Sequence, residues 1–368
     1  MNWIRLIARI ATINVAIVMA LIGGLVAGPI VTVLAYNAFH IVVPVIDSRQ
    51  NLPNYDDIDW TEQYFKDHKS ISSSYSDFVV WELDSLSSET INIGKDSRRY
   101  TSETDESVIG EVWVFGGSTV FGAGVNDANT IPSLVARQTG LNTVNFGQDN
   151  YIARQSVISL LRETEIHNSE NLTVVFYDGV NDVQVKCRTE NLDLVTDRQT
   201  RIRAALGNNR AAENVSINQL FRPALVLMDK IAQRGVPGLP QKEPDDLYIC
   251  DDDADRSDKV ARELVTDWMT ANAIAEAIGG RFVAILQPVS YLSDTRLDHL
   301  PAWKYDTELA RQYSAVYPLI RSYALAASIN FYDLSHVFDH DEFIYIDFCH
   351  VSPNGNEYIA AALANILS

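Results

Sequence analysis

Val112-Trp113-Val114-Phe115-Gly116-Gly117-Ser118-Thr119-Val120-Phe121-Gly122 is the stretch on which the fold turns. It begins as an unbroken apolar run, the pattern of a strand buried on both faces. Two glycines, a serine and a threonine then interrupt it, and a third glycine follows four residues after Ser118. A buried strand ending in a turn of small residues delivers a hydroxyl to the carboxyl edge of a sheet, where α/β folds keep their chemistry. The plainer alternative is a tight turn whose serine satisfies backbone groups. Short motifs admit both, so the choice rests on the rest of the chain.

Regular alternation runs outward from this strand. Thr130 is a helix N-cap with Pro132 in the first turn, Leu141 to Phe146 is a second strand, and 151–168 a helix. Leu172 to Tyr177 is a third strand. Later come a strand from Phe282 to Leu286, a helix over about 305–327, a strand from Ile329 to Tyr332 and a terminal helix from Pro353. Strands alternating with helices imply an α/β fold, a parallel sheet with helices on both faces. Between the third strand and Phe282 the sequence suggests an insertion over about 183–280. It carries the loop signature Gly235-Val236-Pro237-Gly238-Leu239-Pro240. Its Asp251-Asp252-Asp253 run lacks the spacing of a calcium loop and reads as solvated surface.

Composition sets the outer limits. At 368 residues the chain has room for one large domain or two modest ones. Its net charge of -19, from 48 acidic against 29 basic residues, argues against a nucleic-acid partner, which would need clustered Lys and Arg. Cys187, Cys250 and Cys349 fit neither a zinc spacing nor a C-x-x-C redox motif.

From Ile10 to Ile46 the chain has no Asp, Glu, Lys or Arg. One membrane-spanning helix needs roughly 20 apolar residues. The run falls slightly short of two spans and a turn, although Gly23-Gly24 and Gly28-Pro29 leave a hairpin open. It is far longer than the apolar core of a cleaved leader, the third reading. Arg5 and Arg9 precede the run and Asp47, Asp56, Asp57 and Asp59 follow it, so the positive-inside rule sends the rest of the chain out of the cytoplasm. The expected organisation is therefore a cytoplasmic stub and transmembrane anchor over 1–46, a partly ordered stalk and N-terminal appendage over 47–108, and the main domain over 109–368. In an oxidising compartment Cys187 and Cys250 are expected to form a disulfide, leaving Cys349 as a free thiol.

Each sheet strand ends in a polar or glycine-rich cluster. Asn145-Phe146-Gly147-Gln148 follows the second strand, and Tyr177-Asp178-Gly179-Val180-Asn181-Asp182 the third. Near the C-terminus stands Asp347-Phe348-Cys349-His350-Val351-Ser352-Pro353. An Asp three residues before a His can fold back onto one imidazole nitrogen, leaving the other free to take a proton from a serine. Asp333-Leu334-Ser335-His336 has the same spacing but runs into a loop with His340 and acidic neighbours. The amide of Asn181 and the backbone N–H of Gly147 are candidate donors to a developing oxyanion.

These four blocks resemble the SGNH (GDSL-type) hydrolase superfamily, over a span from about Val112 to the C-terminus. The resemblance implies a flavodoxin-like three-layer α/β/α sandwich with a five-stranded parallel sheet and no metal or organic cofactor. It implies Ser118 as nucleophile, His350 as base and Asp347 as its orienting partner. The oxyanion hole would comprise the N–H groups of Ser118 and Gly147 and the amide of Asn181. The residue before the serine is usually Asp and here is Gly117, which loosens any inference about substrate. Val120 excludes the G-x-S-x-G elbow of the α/β-hydrolases. The expected function is a membrane-anchored serine esterase acting on an ester-bearing small molecule, lipid or glycan. One alternative is an O-acyltransferase or acetylesterase acting on a cell-surface glycan with the same triad. Another is a non-catalytic glycan-binding or scaffold protein.

The anchor reading is checked by a C-terminal reporter that is active only in the cytoplasm. It should stay silent, and strong signal would establish the hairpin or the reverse orientation.

Overall fold

The structure is a computed structural model that describes residues 47–102, 110–165, 171–191, 247–301 and 306–368. The chain divides into two units, of which the larger is made of Ser48–Arg203 and Asp246–Ser368. The other, Met1–Asp47 with Ala204–Asp245, lies outside the described residues apart from Asp47. The apolar run of 10–46 and the Gly235–Pro240 loop therefore lie outside them too. Among the described residues no helix is long and apolar enough to cross a membrane.

Five parallel strands form the central sheet: β5 (Glu111–Gly116), β6 (Asn142–Gly147), β7 (Leu172–Asp178), β8 (Arg281–Leu286) and β9 (Phe331–Asp333). Their spatial order is β6-β5-β7-β8-β9. Counted along the sheet strands alone this is 2-1-3-4-5, the flavodoxin-like doubly wound order. Two antiparallel pairs precede it, β1 (Ser73–Ser76) with β2 (Val80–Leu83) and β3 (Leu86–Ser87) with β4 (Asn92–Ile93).

The apolar runs bury both faces because successive side chains point to opposite sides. Trp113, Phe115, Val174, Phe176, Phe282 and Leu286 line one core, whereas Val112, Val114, Val175, Val283 and Ile285 line the other. The first core is covered by α4 (Ala153–Thr164), α6 (Ala254–Ala277) and α7 (Thr307–Ala326). The second is covered by α3 (Ile131–Thr139) and α8 (Pro353–Leu367). Thr130 caps α3 by accepting the N–H of Ser133, and Ser352 caps α8 by accepting that of Gly355. Three helices are short or peripheral: α1 (Thr61–His68), α2 (Ser118–Phe121) and α5 (Val180–Lys186).

Two expectations need correction. The segment expected to be a partly ordered stalk is docked. Leu52, Tyr55, Tyr64 and Phe65 are buried in one cluster with Phe121, Ile346, Leu83, Ile91 and Ile93. The expected insertion over 183–280 is also drawn too wide. Its last part is α6, the crossover that two neighbouring parallel strands require, and Trp268, Leu264 and Val260 of α6 are core residues. Within the acidic run, Asp253 caps α6 by accepting the N–H of Arg256, and Asp251 pairs with Arg311 at 2.6 Å.

The residues that flank 192–246 are tied to each other. Thr189 N–H donates to Leu247 O at 3.0 Å, and Ile249 N–H to Cys187 O at 3.0 Å. Cys187 and Cys250 form a disulfide, and Cys349 is free and buried. Thiol counting on the denatured, unreduced protein should find one reactive cysteine, and three would contradict the pairing. Reduction should cost roughly 4 kcal/mol of stability in the chain-entropy account, measured by denaturant unfolding.

Candidate active site

Register brings the strand tips together. Gly116 pairs with Gly147 on one side and with Tyr177 on the other, so three strands end level at the carboxyl edge. Immediately beyond Gly116, Gly117 is the extended N-cap of α2, and Ser118 is that helix's first residue. A first-turn N–H has no acceptor within its own helix, which leaves the Ser118 N–H facing outward from the turn. Gly122 closes the single turn in the left-handed region, at φ 94°.

The glycines here serve close approach. A Cβ on Gly117 would lie 2.2 Å from Nδ2 of Asn181. A side chain at position 117 would therefore displace the very amide that the third strand brings in. Asn181 Nδ2 donates to Tyr151 O at 2.8 Å, which commits one of its two N–H groups.

Gly147, expected as an oxyanion donor, has its N–H engaged in this structure, where it donates to Oδ1 of Asn145 at 2.9 Å. A Cβ there would lie 2.0 Å from the backbone N of Phe121. Gly147 is the seat on which the helix carrying Ser118 rests, and Asn145 ties that helix down by donating Nδ2 to Val120 O at 3.0 Å.

The C-terminal block supplies the rest. His350 Nε2 lies 2.7 Å from Ser118 Oγ, and His350 Nδ1 lies 2.8 Å from Oδ2 of Asp347. A carboxylate can only accept, so Nδ1 carries a proton, and in the neutral imidazole Nε2 is then left as acceptor for the serine hydroxyl. Burial opposes charge on His350, but the Asp347 carboxylate outweighs it and raises its pKa well above the usual 6.5. Burial likewise opposes charge on Asp347, yet the imidazole, its hydrogen bonds and Arg49 hold the carboxyl far below its ordinary range. Arg49 Nη1 lies 3.1 Å from Oδ2 of Asp347, and no sequence signal marks this contact across 298 positions.

The second Asp-x-x-His block does not build a pair of this kind. Asp333 bonds Arg321 and accepts the N–H of Ser335. His336 is 62% exposed at its side chain and faces Asp339 instead. Among the described residues, Asp347, Cys349 and His350 are the one group whose ligand atoms, within 4.8 Å of one another, could gather round a metal ion. There the carboxylate is already occupied by the imidazole and Arg49.

No protein-family model matches the chain, and no curated protein does. Solved structures do. One is a member of the lipolytic G-D-S-L family from Veillonella parvula, 10% identical with a TM-score of 0.41, the match spanning 70% of this chain and 97% of that one. Another is a catalytic mutant of the acetylxylan esterase Axe2 from Geobacillus stearothermophilus, 9% identical with a TM-score of 0.39, spanning 71% and 96%. A GDSL-like lipase from Bacteroides thetaiotaomicron is 12% identical with a TM-score of 0.38, spanning 70% and 87%. At such values the likenesses carry no argument about chemistry, which rests on the geometry above.

Gly117→Ala should move the Asn181 amide without unfolding the protein, because the clashing atom ends a side chain. Reaction of Ser118 with a fluorophosphonate should slow by on the order of 10²–10³-fold, as for loss of an oxyanion donor. The loss should not compound with Asn181→Ala, and full additivity would show that the two act separately.

Proposed function

We propose that this chain is a serine esterase of the SGNH (GDSL) type, anchored by its N-terminal apolar run with the catalytic unit outside the cytoplasm. The observation that carries the reading is the unbroken line from Ser118 Oγ through His350 to Asp347, with contacts of 2.7 and 2.8 Å. Ser118 attacks the ester carbonyl carbon while His350 Nε2 takes its proton. The C=O π-bond becomes a lone pair on oxygen, and the Ser118 N–H and the Asn181 amide receive that negative charge. Collapse of the intermediate breaks the bond to the alcohol, whose oxygen leaves with the proton from His350. Water then repeats the sequence on the acyl-serine and restores the free enzyme. Asp347 stays ionised throughout and holds the imidazole in the tautomer that both halves need.

Labelling of the full-length chain in detergent with a fluorophosphonate probe, followed by acetyl and longer acyl esters, tests the assignment. Ser118→Ala should abolish labelling and turnover. His350→Ala should cost nearly as much, on the order of 10⁶ in kcat, since members of a triad act as a unit. Asn181→Ala should lose about 10²–10³ in kcat with little change in KM. His336→Ala should match the unaltered protein. Full activity in Ser118→Ala on the true substrate would end the reading.

The pH profile is a second check. His350 works as a base only when neutral, and its raised pKa keeps it charged to higher pH than an ordinary histidine. The kcat/KM value should therefore fall as pH is lowered, along an acid limb centred above 6.5. A limb at or below 6.5 would contradict the buried pairing with Asp347.

A further inference from the structure

Both oxygens of the Asp347 carboxylate lie within hydrogen-bond distance of His350 Nδ1, Oδ1 at 3.0 Å and Oδ2 the nearer. Oδ1 accepts the backbone N–H groups of Cys349 at 3.1 Å and His350 at 2.8 Å, which shapes the loop. Oδ2 faces His350 Nδ1 at 2.8 Å and Arg49 at 3.1 Å. Arg49 belongs to a single 3₁₀ turn, Ser48–Asn51, immediately after the long apolar run. That turn is held by its neighbours on both flanks of the triad. Asn54 Nδ2 donates to Phe343 O at 2.6 Å and Tyr345 O at 3.3 Å, on the strand of chain leading into Asp347. Tyr55 O–H donates to Gly124 O at 2.8 Å, and the Gly124 N–H donates to Tyr64 Oη at 2.6 Å, just past the nucleophile helix. The guanidinium itself stands 5.6 Å from the centroid of the Phe65 ring.

We propose that Arg49 is a positioning residue for Asp347, and that it tunes the basicity of His350 through the shared carboxylate oxygen. The proposal rests on the esterase reading above. A carboxylate shared with a guanidinium stabilises an imidazolium less than an unshared one, and the second cation itself disfavours charge on the ring. Arg49 thus holds back the rise that Asp347 imposes on His350, keeping the base available at lower pH. It also fixes the plane in which Oδ2 meets Nδ1, as a planar guanidinium does better than an ammonium.

Other groups near the imidazole do not supply this effect. Its own loop contributes Asp347 and Cys349, whose buried thiol is pushed up in pKa and stays neutral. The nucleophile helix contributes Ser118. The N-terminal segment adds Tyr64, whose phenol is also raised by burial. Of these, Asp347 and Arg49 alone carry charge across the working range.

The test uses the full chain in detergent, with the second-order rate of fluorophosphonate labelling at Ser118 followed against pH. Arg49→Met should slow labelling about tenfold at pH 7 and move the acid limb alkaline by on the order of one pH unit. Its rate should approach that of the unaltered protein at high pH, where His350 is neutral in both. Arg49→Lys should restore most of the limb position. Arg49→Gln, which keeps a donor without the charge, should reproduce the shift and decides the matter if Arg49→Met unfolds. In an Asp347→Asn background, loss of Arg49 should move the limb by clearly less than it does in the unaltered protein, because only the direct repulsion between guanidinium and imidazolium is left. A limb that stays in place, or a uniform loss at every pH that Lys does not repair, would overturn the proposal. Labelling that persists in Ser118→Ala would instead show that the esterase reading has failed.

Discussion

The parallel register of β5 with its two neighbours is the constraint from which the site follows. With Gly116 opposite both Gly147 and Tyr177, the segments after these three strands must leave the sheet at one level. Space there is scarce, and the chain meets the shortage with missing side chains. Gly147 admits the backbone of Phe121, and Gly117 admits the amide of Asn181. Gly179, at φ 123°, turns the chain between Asp178 and α5 so that Asn181 can come forward. A one-turn helix then presents Ser118 with its hydroxyl towards His350, although 232 positions separate the two residues. Close packing at the sheet edge is thus what makes the alignment of the Ser118 hydroxyl reproducible.

Much of this was legible in the sequence, for a physical reason. Strands buried on both faces must be continuously apolar, so Val112–Phe115 and Leu172–Tyr177 announced themselves. Helices capped by Thr130 and Ser352, each with proline in the first turn, were marked at their start. The Asp347–His350 pair was readable because both members lie within one turn of chain. By contrast α6 was taken for part of an insertion, because its exposed face is rich in charge and its apolar positions are spread over 24 residues. The docked segment before β1 was hidden in a similar way, since Asp56, Asp57 and Asp59 dilute the aromatic side chains that bury it. At Gly147 the sequence shows that a side chain is missing but not which neighbour fills the space. Arg49 could not be read at all, its partner being fixed only by the tertiary fold.

The remaining charged cluster shows how Asn181 is aimed. Lys186 is 1% exposed at its side chain and lies 3.0 Å from Asp182 and 4.0 Å from Asp267. Burial raises Asp267 to about 6 against the pull of Lys186 and Arg154. Asp178 is buried beside them, raised well above its ordinary range by burial and then by the charges of Asp182 and Asp267. Such ion pairs are weak evidence for stability, because desolvation offsets most of the attraction and apolar replacements are often neutral. What this one adds is direction. Asp182 Oδ2 accepts the N–H of Ala153 at 3.2 Å, while Asn181, the residue beside it, donates to Tyr151 O at 2.8 Å. The two bonds run in opposite senses between the same two segments, so neither segment can slide along the other without losing both. Lys186 Nζ lies 3.0 Å from Oδ1 of Asp182, which leaves Oδ2 to the Ala153 N–H. The buried lysine thus bears on the position of the Asn181 amide, through the helix that the two residues share.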